Sequence, residues 1–98
     1  MRIEVRAVKG NPVMVLRRAG YSFQRNEGSE MSFVRPLASA GYPRFHMYVS
    51  MKGFDMMINI HLDQKKETYG SGTRHHGEYE DEGALKVEVE RIKNMVSS

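Results

Sequence analysis

Histidine and carboxylate side chains concentrate in the second half of the chain, where they could bind a metal ion or transfer protons. The stretch GTRHHGEYEDE, residues 72–82, contains His75 and His76 followed by acidic residues. His61 and Asp63 precede it and are separated by one residue, a spacing that puts both side chains on one face of a β-strand. Imidazoles and carboxylates are suitable ligands for zinc, manganese or iron where thiolates are absent, and the chain has no cysteine.

These residues support two chemical hypotheses and one structural interpretation. In the first hypothesis, His61, Asp63 and His75 bind a divalent metal and leave one coordination position open. In the second, His46, His61, His75 or His76, together with Glu78, supply the acid and base of RNA cleavage, because imidazole titrates near neutral pH. Arg44 or Arg74 would then stabilise the developing charge. In the structural interpretation the stretch is an exposed polar loop, and its carboxylates favour the positive end of the helix that follows.

Basic residues dominate the first 76 positions, which carry 12 Lys and Arg against 6 Asp and Glu, whereas residues 77–98 carry 3 against 6. A basic surface is the electrostatic footprint of nucleic-acid binding, in which cations contact phosphates and aromatic rings stack on bases. A solvated surface with aromatic residues at its rim would have the same composition. The residues predicted to contact RNA are Arg44, Lys65, Lys66, Arg74, Tyr48 and His46.

The elements that must position these residues follow from hydrophobic periodicity. Residues 2–8 alternate as a half-buried strand, and residues 12–19 form a short helix between an Asn-Pro start and a glycine stop. Residues 21–25 and 31–37 are predicted strands joined by a turn. Residues 82–96 carry an apolar stripe at helical spacing.

The strongest local signal is a β-hairpin over residues 44–63, in which apolar and polar residues alternate. A turn at Lys52-Gly53 would pair Phe45 with Ile60 and His46 with Asn59, which separates an apolar face from a polar one. Residues 64–81 have no periodicity and are predicted to form a long loop.

The sequence therefore predicts a single α+β domain over residues 1–98. It consists of a small antiparallel sheet of three or four strands with two helices packed on one face, and an extra N-terminal strand. The other face is left for solvent or a partner. No apolar run approaches the roughly 18 residues that span a bilayer, and the alternating charges at the start are unlike a signal peptide. The predicted location is the cytoplasm.

The run KGNPVMVLRRAGYSFQRNEGSEMSF, which begins at Lys9, resembles the HicA-type toxins of bacterial toxin–antitoxin pairs. It carries K-G, then L-x-x-A-G-Y, then R-x-x-G-S. The resemblance implies a fold like double-stranded-RNA-binding domains, mRNA endonuclease activity and a partner antitoxin. The catalytic histidine of that family follows the G-S pair, where this chain has Glu30. A carboxylate does not replace an imidazole acid near neutral pH without a large pKa shift, so nuclease activity does not carry over with the motif.

The predicted function is that of an RNA-interacting domain related to HicA-like toxins. It would be an mRNA endonuclease only if its catalytic residues lie at positions other than that of the family's histidine. One alternative is a protein-interaction or accessory module of a toxin–antitoxin or mobile-element system, held by an antitoxin-like protein partner. Another is a small metal-dependent enzyme that uses His61, Asp63 and His75 or His76. No organic cofactor is indicated, a divalent metal is the one group these residues suit, and no membrane partner is expected.

Overall fold

The computed structural model describes residues 1–64, 78–79 and 82–97, with residues 78, 79 and 97 described by their backbone only. Its strands and helices, in chain order, are β1 (Arg2–Val5), α1 (Pro12–Arg18), β2 (Ser22–Glu27), β3 (Glu30–Pro36), β4 (Arg44–Lys52), β5 (Asp55–Asp63), β6 (Glu78–Tyr79) and α2 (Glu82–Ser97). These elements confirm the predicted α+β class.

The strands form one antiparallel sheet in the order β1-β5-β4-β3-β2. Strands β2 to β5 are a meander, and β1 and β6 pair with the edge of β5 that the meander leaves free. The prediction of three or four strands is therefore wrong in number. Segment 64–81 was predicted to be a loop throughout, but it contains β6, a strand of two residues that is too short to leave a periodic signal.

The buried face of the sheet packs against both helices in one hydrophobic core. Helix α1 contributes Val15 and Leu16, which are the buried residues of its seven. Burial of one such side chain stabilises the fold by about 1.5–3 kcal/mol. Neither described helix is long and apolar enough to cross a membrane. The sheet and α2 supply the rest of this core, chiefly Val5, Phe33, Phe45, Met47, Val49, Met56, Ile58, Ile60, Leu62, Leu85, Val89, Ile92 and Val96.

Helix α1 begins and ends where its sequence signals predict. The Asn11 side chain accepts a hydrogen bond from the backbone N–H of Val13 at 2.8 Å, which satisfies one of the free amides at the helix start. Pro12 occupies the first helical position, where its missing N–H costs nothing. Gly20, with φ +97°, turns the chain out of the helix.

A buried carboxylate joins the end of α1 to α2. Glu88 is 4 % exposed, and it accepts hydrogen bonds from the Tyr21 hydroxyl at 2.7 Å and from Arg91 Nη2 at 2.8 Å. Arg35 Nη1 lies 3.3 Å from the same carboxylate, and Arg91 Nη2 also donates to the carbonyl of Ala19 at 2.6 Å. Burial, together with the Glu88 carboxylate, raises the pKa of the Tyr21 hydroxyl. The Ala19-Gly20-Tyr21 motif therefore has a structural role.

The β4–β5 hairpin has the predicted faces but not the predicted register. Phe45 pairs with Leu62 instead of Ile60, and His46 pairs with His61 instead of Asn59. The two turn residues are Gly53 and Phe54, one position later than predicted. Gly53 has φ +65°, and positive φ at the first turn position alone fits the type II′ turn that two-residue hairpins favour.

Strand β1 is shorter than the predicted strand over residues 2–8. It ends at Val5 because Ala7 has φ +56°, a conformation that cannot continue a strand. The Ala7 N–H donates to Asp55 Oδ1 at 3.0 Å, and the Val8 N–H donates to the Phe54 carbonyl at 2.8 Å. These contacts attach the end of β1 to the β4–β5 turn.

Candidate functional site

The face of the sheet away from the helices, here called the second face, carries polar side chains in rows that cross the strands. In one row, Tyr48 of β4 lies between Ser32 of β3 and Asn59 of β5, and Asn59 lies opposite Arg2 of β1. Strand β4 is the third strand in the order β1-β5-β4-β3-β2, so Tyr48 is near the centre of the sheet.

The next two rows bring together side chains that can do chemistry. His46 lies opposite His61, and Arg44 lies opposite Asp63. The Asp63 carboxylate stands between the two imidazoles, with Oδ1 3.5 Å from His61 Nε2 and Oδ2 3.8 Å from His46 Nδ1. We refer to His46, His61 and Asp63 as the histidine cluster.

The histidine cluster is largely shielded from water and is fixed in place by its neighbours. The exposed fractions of the three side chains are 12 % for His46, 18 % for His61 and 13 % for Asp63. The Ser32 hydroxyl, on a residue 1 % exposed, lies 3.0 Å from His46 Nε2. Arg44 Nε donates to Asp63 Oδ2 at 3.2 Å. Each cluster residue therefore has a restricted orientation.

The environment of the cluster favours a neutral His46. Burial lowers the pKa of this imidazole, the neighbouring His61 lowers it further, and the Asp63 carboxylate acts in the opposite direction. A pKa below the ordinary histidine value of 6.5 leaves His46 uncharged at neutral pH. A neutral imidazole has a lone pair available for a proton or a metal ion.

A groove of about 400 Å³ lies on the second face beside the histidine cluster. It crosses β1, β5 and β4 and reaches Glu30 at the start of β3. Tyr48 lies between the groove and the cluster, since its ring centroid is 4.8 Å from that of His46. The lining residues are Arg2, Ile3, Glu4, Glu30, Tyr48, Ser50, Met57, Ile58 and Asn59.

The second face is only partly open, although it was predicted to be left for solvent or a partner. Ser32 and Val34 are buried there, and His46, Tyr48 and His61 are half-buried. Its accessible parts among the described residues include the groove, where Arg2, Glu4 and Asn59 are exposed, and strand β2, where Ser22 and Arg25 are exposed.

The structure groups the residues singled out in the sequence differently from the prediction. His61 and Asp63, predicted as metal ligands, are accompanied by His46, which was predicted to contact RNA. His75, His76, Lys65, Lys66 and Arg74 lie outside the described residues. The backbone of Glu78 pairs with Asp63, and the side chain of Glu78 is likewise not described.

Sequence patterns did not identify two features of the site. His46 joins the cluster because the hairpin register is two residues away from the predicted one, which moves its partner from Asn59 to His61. Ser32 was missed because its contact with His46 depends on the pairing of β3 with β4. The one signal for Ser32 is a small polar residue at an alternating position in a strand.

Two kinds of chemistry suit the histidine cluster. Its ligand atoms all lie within 4.8 Å of one another, close enough for movements of the side chains to bring them to one metal ion. Without a metal, the two imidazoles and the carboxylate form a proton-transfer group, with Arg44 able to stabilise negative charge.

No family model, curated protein or solved structure matches this chain. The site is therefore interpreted from its own geometry.

Proposed function

We propose that the protein binds single-stranded RNA through the groove on its second face. The observation that carries the proposal is the row of Arg2, Asn59 and Tyr48, which places a cation, an amide and an aromatic ring side by side across the sheet. Aromatic residues on the middle strands of an antiparallel sheet are a known platform for unpaired bases, which stack on the ring and present their edges to nearby polar groups.

The size and chemistry of the groove suit a nucleotide. Its volume of about 400 Å³ is in the range of about 300–1,000 Å³ that holds small ligands. Tyr48 offers a ring face, Asn59 offers both a donor and an acceptor, and the exposed Arg2 offers positive charge to a phosphate. Glu4 and Glu30 lie at the other end, where carboxylates repel phosphate and accept hydrogen bonds from base amino groups.

The histidine cluster and the neighbouring Arg44 would border the bound RNA, but they would not supply most of the positive charge that contacts phosphate. Arg44 donates to Asp63 and lies over the ring of Tyr42, with its guanidinium carbon 4.7 Å from the ring centroid. Its charge is therefore partly offset by the carboxylate. We assign the principal phosphate contact in the described part of the chain to Arg2 for this reason.

We also propose a relationship of fold to the HicA-like and double-stranded-RNA-binding group. Helix α1, the antiparallel strands β2 to β4 and the closing helix α2 support this proposal, whereas β5 and β6 stand between β4 and α2 as additions to the α-β-β-β-α order of that family. Glu30, at the position of the family's histidine, begins β3 opposite Glu27. The proposal therefore extends to RNA contact and excludes cleavage by a side chain at position 30.

A protein partner is the second candidate. Met57 is 37 % exposed and lines the groove, and an accessible methionine is adaptable to apolar side chains of a partner. An antitoxin-like protein bound there would cover the same surface as RNA. The two candidates differ in salt dependence, because phosphate binding releases counterions and an apolar contact does not.

Fluorescence anisotropy with labelled single-stranded and duplex RNA tests the proposal. Arg2→Ala should weaken single-strand binding and reduce the salt slope by about 1. Arg17→Ala is the matched control, because Arg17 is an exposed arginine on α1 and does not line the groove. Tyr48→Leu should cost about 1–3 kcal/mol of binding free energy through lost stacking.

Three results would overturn the proposal. The first is no binding of wild-type protein at low salt, the second is equal effects of Arg2→Ala and Arg17→Ala, and the third is binding that salt does not weaken. The last of these would favour the protein partner.

A further inference from the structure

We propose that the histidine cluster is a binding site for a divalent transition metal, with zinc as the best match. His46 Nδ1, His61 Nε2 and one Asp63 oxygen would be the ligands. The inference rests on the geometry of these three side chains and does not depend on RNA binding.

The spacing of the ligand atoms is close to that of a tetrahedral zinc site. Zinc binds imidazole nitrogen and carboxylate oxygen at about 2.0–2.2 Å, so two ligands at a tetrahedral angle are about 3.3 Å apart. The observed separations are 3.5 Å from His61 Nε2 to Asp63 Oδ1 and 3.8 Å from His46 Nδ1 to Asp63 Oδ2. These two separations involve different carboxylate oxygens, and the three ligand atoms all lie within 4.8 Å of one another, so rotations of the side chains would bring one oxygen and both nitrogens to a single ion.

The groups around the ligands are those that metal sites use to hold them. A metal-bound histidine commonly donates its second ring N–H to an oxygen, which fixes the tautomer and the ring plane. The buried Ser32 hydroxyl is 3.0 Å from His46 Nε2 and is placed to accept such a bond, which leaves Nδ1 for the metal. Arg44 donates to Asp63 Oδ2 and orients the carboxylate.

The ligand set also indicates which metal and which kind of site. Two imidazoles and one carboxylate, with no thiolate in the chain, suit zinc and exclude the sulfur-rich sites that select copper(I). Three protein ligands leave a fourth tetrahedral position for water or a ligand oxygen, as in sites that do chemistry. Tyr48 and the groove lie beside the histidine cluster, since the Tyr48 ring centroid is 6.2 Å from that of His61.

Titration of the full chain with zinc, after dialysis against EDTA and without RNA, tests the inference. Calorimetry should show one zinc ion per chain, and cobalt(II) should acquire the absorption of a tetrahedral complex. Histidine ¹⁵N spectra of the wild-type protein should show the ring nitrogens of His46 and His61 shifting with the first equivalent. This last measurement needs no variant and so stands even if a substitution impairs folding.

Variants then locate the site. Loss of a residue that hydrogen-bonds to a metal ligand commonly reduces metal affinity by about 10- to 100-fold. His61→Ala and the near-isosteric Asp63→Asn remove a ligand itself, so each should reduce zinc affinity by more than this. Ser22→Ala, a change at an exposed position of β2 outside the histidine cluster and the groove, should leave the affinity unchanged. His75→Ala/His76→Ala should retain zinc binding, because the proposed ligands are His46, His61 and Asp63 alone, and loss of binding in this variant would contradict the three-ligand site.

Two results would overturn the inference. The first is no heat and no ¹⁵N shift on addition of zinc, which would leave the cluster as an ion-paired structural group. The second is zinc binding that survives both His61→Ala and Asp63→Asn, which would place the metal elsewhere. Failure of RNA binding alone would not affect it, because these measurements contain no RNA.

Discussion

His46 lies opposite His61 across the β4–β5 pair, with their ring centroids 4.9 Å apart and the rings inclined at 64°. Two imidazoles this close, in a setting that is shielded from water, disfavour simultaneous protonation because like charges raise each other's free energy. Asp63 is within 4 Å of both rings and can offset one positive charge. The folded protein therefore disfavours a proton on His46, whose pKa is lowered by burial and by the neighbouring His61.

The metal-free protein should lose stability on acidification as His46 takes up a proton. Its pKa is lowered in the folded state, so the unfolded chain binds more protons between the folded value and the ordinary value of 6.5. This contribution to stability is fully present above pH 6.5. It is lost as the pH falls through 6.5 toward the pKa that His46 has in the folded protein. Urea denaturation in EDTA, repeated from about pH 8 to about pH 5, measures it.

His46→Gln is the control for this effect, because glutamine keeps polar groups near Ser32 but does not titrate. The acid-side slope of the unfolding free energy should be smaller in the variant. An equal slope in both proteins would assign the pH dependence to other groups.

Ser32→Ala should weaken zinc binding without abolishing it. The substitution removes the oxygen 3.0 Å from His46 Nε2, and loss of such a partner commonly costs about 10- to 100-fold in metal affinity. Ser50→Ala is the matched control on the same face, because Ser50 lies on β4 and lines the groove but is outside the histidine cluster. Equal zinc affinities in the two variants would show that Ser32 does not position a ligand.

Tyr21→Phe should destabilise the fold while leaving the second face intact. The Tyr21 hydroxyl donates to the Glu88 carboxylate at 2.7 Å in a buried setting, and a hydrogen bond to a charged group contributes about 1.5–3 kcal/mol. Urea unfolding of wild type, Tyr21→Phe, Glu88→Gln and the double variant forms a cycle that isolates the pair. Purely additive effects would contradict a direct coupling.

Gly20→Ala should be more destabilising than Gly41→Ala. Both glycines have φ near +98°, so both substitutions incur the cost of about 1–2 kcal/mol that an L-residue pays in the left-handed region. A Cβ at Gly20 would also approach Arg35 Nε to 3.2 Å, whereas a Cβ at Gly41 would meet nothing within 4 Å. The difference between their unfolding free energies therefore measures displacement of Arg35. Equal losses would mean that Arg35 moves aside freely.

The β4–β5 hairpin shows what its sequence can and cannot predict. Side chains alternate with a period of two, so a register error of two residues left the apolar and polar faces correct. The same error gave every residue the wrong partner, and the pairing of His46 with His61 was lost with it. Burial favours both registers about equally, and the choice is made by the backbone at Gly53 and Phe54. That choice is a local conformational preference which hydrophobic pattern does not report.

The remainder of the site depends on contacts between segments that are distant in sequence. Helix α1 could be predicted from Asn11, Pro12 and Gly20, because helix ends are determined by neighbouring residues. The addition of β1 and β6 to β5 could not be predicted, since each strand is short and both lie along one edge of β5. The groove exists only once β1 has added Arg2 to the row that Tyr48 and Asn59 begin.

The position of β1 has a consequence for the kinetics of folding. Strands β2 to β5 each pair with the next strand in the chain, so their contacts close short loops that cost little entropy. Val5 pairs instead with Met56, and this long-range contact requires the meander as its template. We expect β1 to dock last and to detach first, with amide hydrogens of Ile3 and Val5 exchanging faster than those in β4. The groove would then form in the final step of folding, and its Arg2 wall would open transiently in molecules that are otherwise native.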